Sequence, residues 1–218
     1  MEIESTQTVP IPTVKRFPLY LRILKQKKEK GATSISATTL AEELDLKPIQ
    51  VRKDISCTGI EGKPKVGFVI DELIASITHA LGWDNATDAL IVGAGNLGKA
   101  LVRSPMFEKR GVDVVAMFDV SSDVIGRSIA DVTVLDMKRL EEYIREFKVD
   151  IAILTLPKEY AVEVSDTLVN TAIKGIWNFT GKEINVGDGV VVENVHIGDS
   201  LMTLCYEIAK NSDEESNE

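Results

Sequence analysis

The chain is 218 residues long, about one and a half times the commonest domain size, so two domains suit its length as well as one. Hydrophobic residues make up 44% and charged residues 27%, which excludes a wholly disordered chain, a collagen-like repeat and a disulfide-stapled scaffold. The net charge of −9 argues against nucleic acid as a partner until it is divided: residues 15–65 carry twelve Lys or Arg against six acids, so that segment is +6 and the remainder −15.

A basic stretch of this length also serves simply to solvate a helix face. No run of 18 apolar residues predicts a membrane span. The acidic first ten residues do not suit a secretory signal. Cys57 and Cys205 lie far apart without metal-ligand spacing and read as reduced thiols of a cytoplasmic protein.

In chain order, residues 1–12 read as a loose arm. Val14, Phe17, Leu21 and Leu24 recur at helical spacing, with Pro18 tolerable in a first turn and a stop at Gly31. Ser36 is placed to cap a second helix with Leu40, Ala41 and Leu44 inside, and Pro48 to open a third that runs through Ile49, Val51 and Ile55 and ends near Gly59. The turn-rich basic stretch from Lys63 to Lys65 leads into a β-prone run, and Asp71 is placed to cap a helix over 72–81. Three helices followed by a hairpin describe a winged helix-turn-helix.

After a boundary at 83–87 the rhythm becomes strand then helix. Apolar runs at 89–92, 112–118, 151–154 and 175–177 predict strands, and 137–147 and 159–172 predict helices between them. Continuous apolar strands are buried on both faces, which predicts a parallel sheet covered by helices. A late strand is expected at 190–195. Asp199 is placed to cap a last amphipathic helix with Leu201, Leu204, Cys205 and Ile208 on one face, ahead of an acidic, disordered tail. The expected class is therefore α/β, with a winged-helix domain at 1–85, a Rossmann-like domain at 86–198, a C-terminal helix at 199–210 and a tail at 211–218.

The sharpest motif is Gly93-Ala94-Gly95-Asn96-Leu97-Gly98, a G-x-G-x-x-G turn directly after a strand and opening a helix, which suits a dinucleotide pyrophosphate. Asp119 ends the next strand, where an acid accepts ribose hydroxyls and repels a 2′-phosphate, favouring NAD(H); its other reading is a cap for the following turn. Thr155, Leu156 and Pro157 form one further strand-end loop, expected beside the pyrophosphate. Asn178 and Phe179 form another, expected near the nicotinamide, although Pro157 also suits a helix start and Phe179 a core. A dehydrogenase needs a proton-shuttling group, yet the only histidines are His79 and His196 and little chain remains for a substrate domain. A bound dinucleotide without a substrate site predicts a sensor rather than an enzyme. The alternatives are a small NAD-dependent oxidoreductase with an accessory helical domain, and a coenzyme A binder, since residues 151–180 also resemble coenzyme A-binding domains.

The chain resembles the Rex family of bacterial redox-sensing repressors. The resemblance rests on Lys15-Arg16-Phe17-Pro18-Leu19-Tyr20, Gln50-Val51-Arg52-Lys53-Asp54-Ile55-Ser56, Gly67-Phe68, the glycine-rich loop through Leu101, Phe118-Asp119 and Gly175-Ile176-Trp177-Asn178-Phe179. It implies a homodimer whose last helix is exchanged between protomers, which binds a palindromic operator with NAD+ in place and is released by NADH. DNA contacts are then expected from Lys47, Gln50 and Lys53 in the major groove, with Arg16, Arg52, Lys63 and Lys65 on phosphates or the minor groove. The sequence departs from the family where Thr58, Glu61 and Pro64 replace two phenylalanines and an arginine, and where Ser104 and His196 stand for a tyrosine and aspartate that pair in the switch.

Overall fold

The structure is a computed structural model that describes residues 9–84 and 86–215, with side chains described as far as Lys210. The expected arm therefore lies largely outside the described residues, as do the last three of the expected tail. Two compact units divide the chain, Met1–Asn85 and Ala86–Glu218.

The first unit opens with helix α1 (Ile11–Glu29), which buries Thr13, Phe17, Tyr20, Leu21 and Leu24. It begins earlier than its apolar spacing predicts, so Pro18 lies inside the helix rather than in its first turn. Proline there removes a backbone donor, and the packing of Phe17 and Tyr20 on either side outweighs that loss. Strand β1 (Ser34–Ile35), not foreseen from sequence, leads into α2 (Ala37–Glu42), whose cap Ser36 accepts from the Thr39 N–H at 3.0 Å as expected. Helix α3 (Pro48–Ser56) follows with Pro48 in its first turn. The wing is a tight hairpin in which the Lys63 N–H donates to the Gly67 carbonyl at 2.7 Å and the Gly67 N–H returns to Lys63 at 2.9 Å. Its outgoing arm, β2 (Phe68–Val69), pairs antiparallel with β1. Helix α4 (Ile70–Ala80) starts before the expected Asp71 cap; Val69 occupies the cap position, and Asp71 and Glu72 instead place negative charge in the first turn. One apolar cluster from α1 to α4 holds this winged helix-turn-helix together.

In the second unit β3 (Thr87–Val92), α5 (Asn96–Val102), β4 (Val112–Asp119), β5 (Ser128–Ile129), β6 (Val132–Asp136), α6 (Leu140–Phe147), β7 (Ile151–Leu154), α7 (Ala161–Val169), β8 (Gly175–Asn178) and β9 (Val191–Asn194) follow in turn. The sheet order is β5-β6-β4-β3-β7-β8-β9, parallel throughout except for the short edge strand β5. Apart from β5 this is the doubly wound Rossmann order, which reverses direction between β3 and β7. Successive residues of β3 face opposite sides: Leu90 and Val92 join a cluster with Leu140, Ile144 and Leu168 of α6 and α7. Ala89 and Ile91 join another with Leu101 and Val102 of α5.

Strands β5 and β6 were not anticipated. The expected helices at 137–147 and 159–172 are shorter, each preceded by a 3-10 turn. Helix α8 (Ile197–Glu215) starts before Asp199, which lies in its first turn rather than at its cap, and runs into the segment expected to be disordered. Among the described residues no helix is long and apolar enough to cross a membrane.

Candidate dinucleotide site and nucleic-acid interface

The glycine-rich loop leaves β3 at the reversal of strand order, where open α/β sheets bind ligands. Gly93 has φ +109°, and a Cβ there would lie 2.8 Å from the Thr155 carbonyl group. A Cβ on Gly98 would lie 2.1 Å from the Gly93 oxygen and 2.9 Å from Thr155 Oγ1. Those two glycines are demanded by the chain itself. Gly95 is not: its φ of −74° and ψ of −167° suit any residue, and a Cβ would meet nothing within 4 Å. The open space beside Gly95, at first-turn amides that have no acceptor within their own helix, fits an approaching pyrophosphate. Gly95 and Asn96 are exposed, Leu97 is half-buried, and Ala94 is buried with its N–H turned toward Asp119.

Asp119 ends β4, and its carboxylate does two local jobs: Oδ2 accepts from the Ala94 N–H at 2.7 Å and Oδ1 from the Ser121 N–H at 2.8 Å. It thus ties the glycine loop to the turn after β4, and each oxygen keeps a lone pair for a ribose hydroxyl. Asp136, at the end of the unforeseen β6, is its partner in register and adds a second carboxylate along this sheet end. Across the reversal, Thr155 locks the loop: its Oγ1 donates to the Gly93 carbonyl at 2.7 Å, and its N–H to Val92 at 2.9 Å. Leu156 packs partly into the α6–α7 cluster, and Pro157 opens the 3-10 turn before α7.

Asn178 is buried, with every polar atom engaged within the chain. Its Nδ2 donates to the Lys182 carbonyl and to Asn194 Oδ1, and its Oδ1 accepts from the Thr180 N–H and hydroxyl. It anchors the loop after β8 rather than presenting a free amide. Phe179 is half-buried, its ring edge-on to Trp177 with centroids 4.5 Å apart. Ser104 accepts weakly from the Met106 N–H, and His196, immediately before α8, pairs with Glu183 at 2.6 Å. Among the described residues no group of His, Cys, Asp or Glu is assembled to hold a metal.

In the first unit the structure gathers residues the sequence left apart. Asp54 of α3 is 1% exposed and receives two Arg16 nitrogens at 2.7 and 2.6 Å, Tyr20 Oη at 2.6 Å, Thr13 Oγ1 at 3.0 Å and Gln50 Nε2 at 2.9 Å. Burial acts to raise the Asp54 carboxyl, but the four hydrogen-bonding neighbours outweigh it and hold the group below its ordinary range. Burial and the Asp54 charge push the Tyr20 hydroxyl well up.

Arg16 is held in this ion pair with its side chain 24% exposed, and Gln50 is half-buried against the same carboxylate. The exposed surface of α3 carries Arg52, Lys53 and Ser56, with Lys47 at its N-cap. Ile49 is 72% exposed. Lys63 and Lys65 are exposed on the wing.

Two family models match: residues 8–56 fit a putative DNA-binding protein N-terminus, and 84–181 a CoA binding domain. The chain is 45% identical over 190 residues to the redox-sensing transcriptional repressor Rex of Treponema denticola, covering 87% of this chain and 90% of that relative. Among solved structures it is similar to RSP, a Rex-family repressor. Against RSP in complex with β-NADH the TM-score is 0.88 at 34% identity, covering 96% of this chain and 99% of that one. Against RSP with β-NAD+ and operator DNA the TM-score is 0.88 at 35% identity, covering 95% and 96%.

Proposed function

This chain belongs to the Rex family of redox-sensing transcriptional repressors, and from that premise we propose that it binds operator DNA through its winged helix, senses NADH and NAD+ through its Rossmann-like unit, and leaves the DNA when NADH binds. The observation that carries the ligand half is the contrast among the glycines at the start of α5: Gly93 and Gly98 answer to the chain's own atoms, whereas Gly95 faces open space that the chain does not fill. The pyrophosphate lies along Gly95, Asn96 and Leu97, the adenosine ribose on Asp119, and the nicotinamide toward Pro157 and Phe179. Thr155 and Asn178 act by holding their loops.

The DNA half rests on the exposed cations Lys47, Arg52 and Lys53 of α3 and Lys63 and Lys65 of the wing. Arg16 and Gln50 contribute by fixing α3 through Asp54. Residues 1–85 are thus the DNA-binding domain and 86–198 the NAD(H) domain.

Helix α8 displays Leu201, Met202, Leu204, Tyr206 and Ile208, each more than half exposed. Such a face is costly in water, and we assign it to a homodimer in which the helix is exchanged. The relatives that this chain resembles are transcriptional repressors, which supports reading the ligand as a signal rather than as a cosubstrate. Operator DNA and NADH meet in the cytoplasm, which is where this protein works.

The test is fluorescence anisotropy of labelled promoter duplex against the full chain at stepped salt, with NADH or NAD+ present. The affinity should fall steeply with salt, by a log–log slope of roughly −0.9 per neutralised phosphate, and NADH should release the complex at concentrations where NAD+ does not. Salt-independent binding, or a complex indifferent to NADH, would refute the proposal. A second reading, coenzyme A as the ligand, is favoured by the family model over 84–181. Calorimetric competition of NADH, NAD+, NADPH and coenzyme A separates the two.

A further inference from the structure

Helix α3 has an outer arc that its apolar spacing conceals. Successive residues advance by about 100° around a helix, so Val51, Asp54 and Ile55 form one face, and these three are the ones it buries. Ile49, Arg52, Lys53 and Ser56 stand at i, i+3, i+4 and i+7 on the opposite face, and all four are exposed. Ile49 is at the centre of that arc, 72% exposed, with Arg52 and Lys53 on either side. Gln50, the residue sequence reasoning would make the base reader, is drawn aside: its amide donates to Asp54 Oδ1 at 2.9 Å, and Asp54 is itself fixed by Arg16 and Tyr20.

A lone exposed aliphatic side chain on a protein surface is ordinary. One flanked by cations in the first turn of the second helix of a helix-turn-helix is in a different position, because the N-terminal residues of that helix meet base edges in the major groove. Cations there bind guanine acceptors or phosphates, and the one base-edge group an isoleucine recognises is the thymine C5-methyl. Resting on the DNA-binding role proposed above, we infer that Ile49 is a specificity-determining residue that reads a thymine methyl in the operator.

The experiment uses the full chain and duplexes it selects from a randomised library. In the best of these, each thymine is replaced singly by deoxyuridine, which removes only the methyl group. The wild type should lose about fourfold in affinity at one thymine of each half-site, the worth of a buried methyl-sized group, and little at the others. Ile49→Ala should bind the thymine duplex more weakly and be indifferent to uracil at that position, while Ile49→Val restores the sensitivity. Because Ile49 is exposed and alanine favours helix, the variant should fold, and its melting temperature checks this. Equal uracil losses in wild type and Ile49→Ala, or no uracil sensitivity in the wild type, would overturn the assignment while leaving DNA binding intact. Failure of the wild type to select any sequence would overturn the DNA-binding reading, and this one with it.

Discussion

Gly95 and Gly98 stand three residues apart in one motif, yet an added methyl should act on them in opposite ways. At Gly98 a Cβ falls 2.1 Å from the Gly93 oxygen, about 1.3 Å short of ordinary contact at 3.4 Å. The start of α5 must therefore retreat from β3, and the hydrogen bond from Thr155 Oγ1 to the same oxygen at 2.7 Å is disturbed with it. Overpacking of this kind costs roughly 2 kcal/mol and a weakened hydrogen bond about 1 kcal/mol more. For a unit of this size about 3 kcal/mol lowers the melting temperature by roughly 10 °C. At Gly95 the backbone is ordinary and the space empty, so Gly95→Ala should leave ligand-free stability unchanged or raise it by up to about 1 kcal/mol. The same methyl occupies the space proposed for the pyrophosphate, and NADH affinity should fall at least about tenfold, some 1.4 kcal/mol. Scanning calorimetry without ligand and titration calorimetry with NADH measure the two quantities. Gly95→Ala unfolding as early as Gly98→Ala, or binding NADH like the wild type, would refute the reasoning.

Asp119→Ala should weaken NADH roughly tenfold or more, since a hydrogen bond to a charged group is lost and the Ala94 N–H is freed; unaltered titration of NADH would refute the ribose role. Asp54→Asn should destabilise the first unit by about 2 kcal/mol at pH 7, below the value for a fully buried pair because the Arg16 side chain is 24% exposed. Because the folded Asp54 carboxyl is held below its ordinary 3.8, that contribution is complete above about pH 4 and is lost as pH falls through the folded value. Urea titrations of both proteins should therefore converge toward pH 3; a gap as large there as at pH 7 would refute the account. Leu201→Asp combined with Leu204→Asp should convert a dimer to monomer in analytical ultracentrifugation and weaken operator binding. A variant still dimeric would show that α8 is not the interface.

The sequence was most legible where a residue's neighbours are close in the chain. Strands β3, β4 and β7 announce themselves as continuous apolar runs, and the glycine loop is readable because its spacing encodes a turn. Strand β6 escaped because five residues interrupted by Thr133 and ended by Asp136 carry no such run, and Asp136 escaped with it. The Asp54 cluster was invisible for another reason. Its partners Thr13 and Tyr20 are 41 and 34 residues away, and a carboxylate beside two cations in sequence reads as solvated. The outward position of Ile49 was not legible either, because it follows from the burial of a charged residue: with Asp54 inside beside Val51 and Ile55, α3 is rotated by the angle that turns Ile49 outward.

The anchoring of Asp54 also bears on how such a protein lets go of DNA. Arg16, Tyr20 and Thr13 of α1 all close on one carboxylate of α3, so the two helices share a joint with no slack. A displacement of α1 should then carry α3 along with it instead of loosening it. In the homodimer proposed above, release then calls for no melting of the winged helix: moving its two reading heads out of step with the roughly 34 Å repeat of the duplex would suffice. Amide exchange in α3 should accordingly be as slow in the NADH-bound protein as in the protein without ligand.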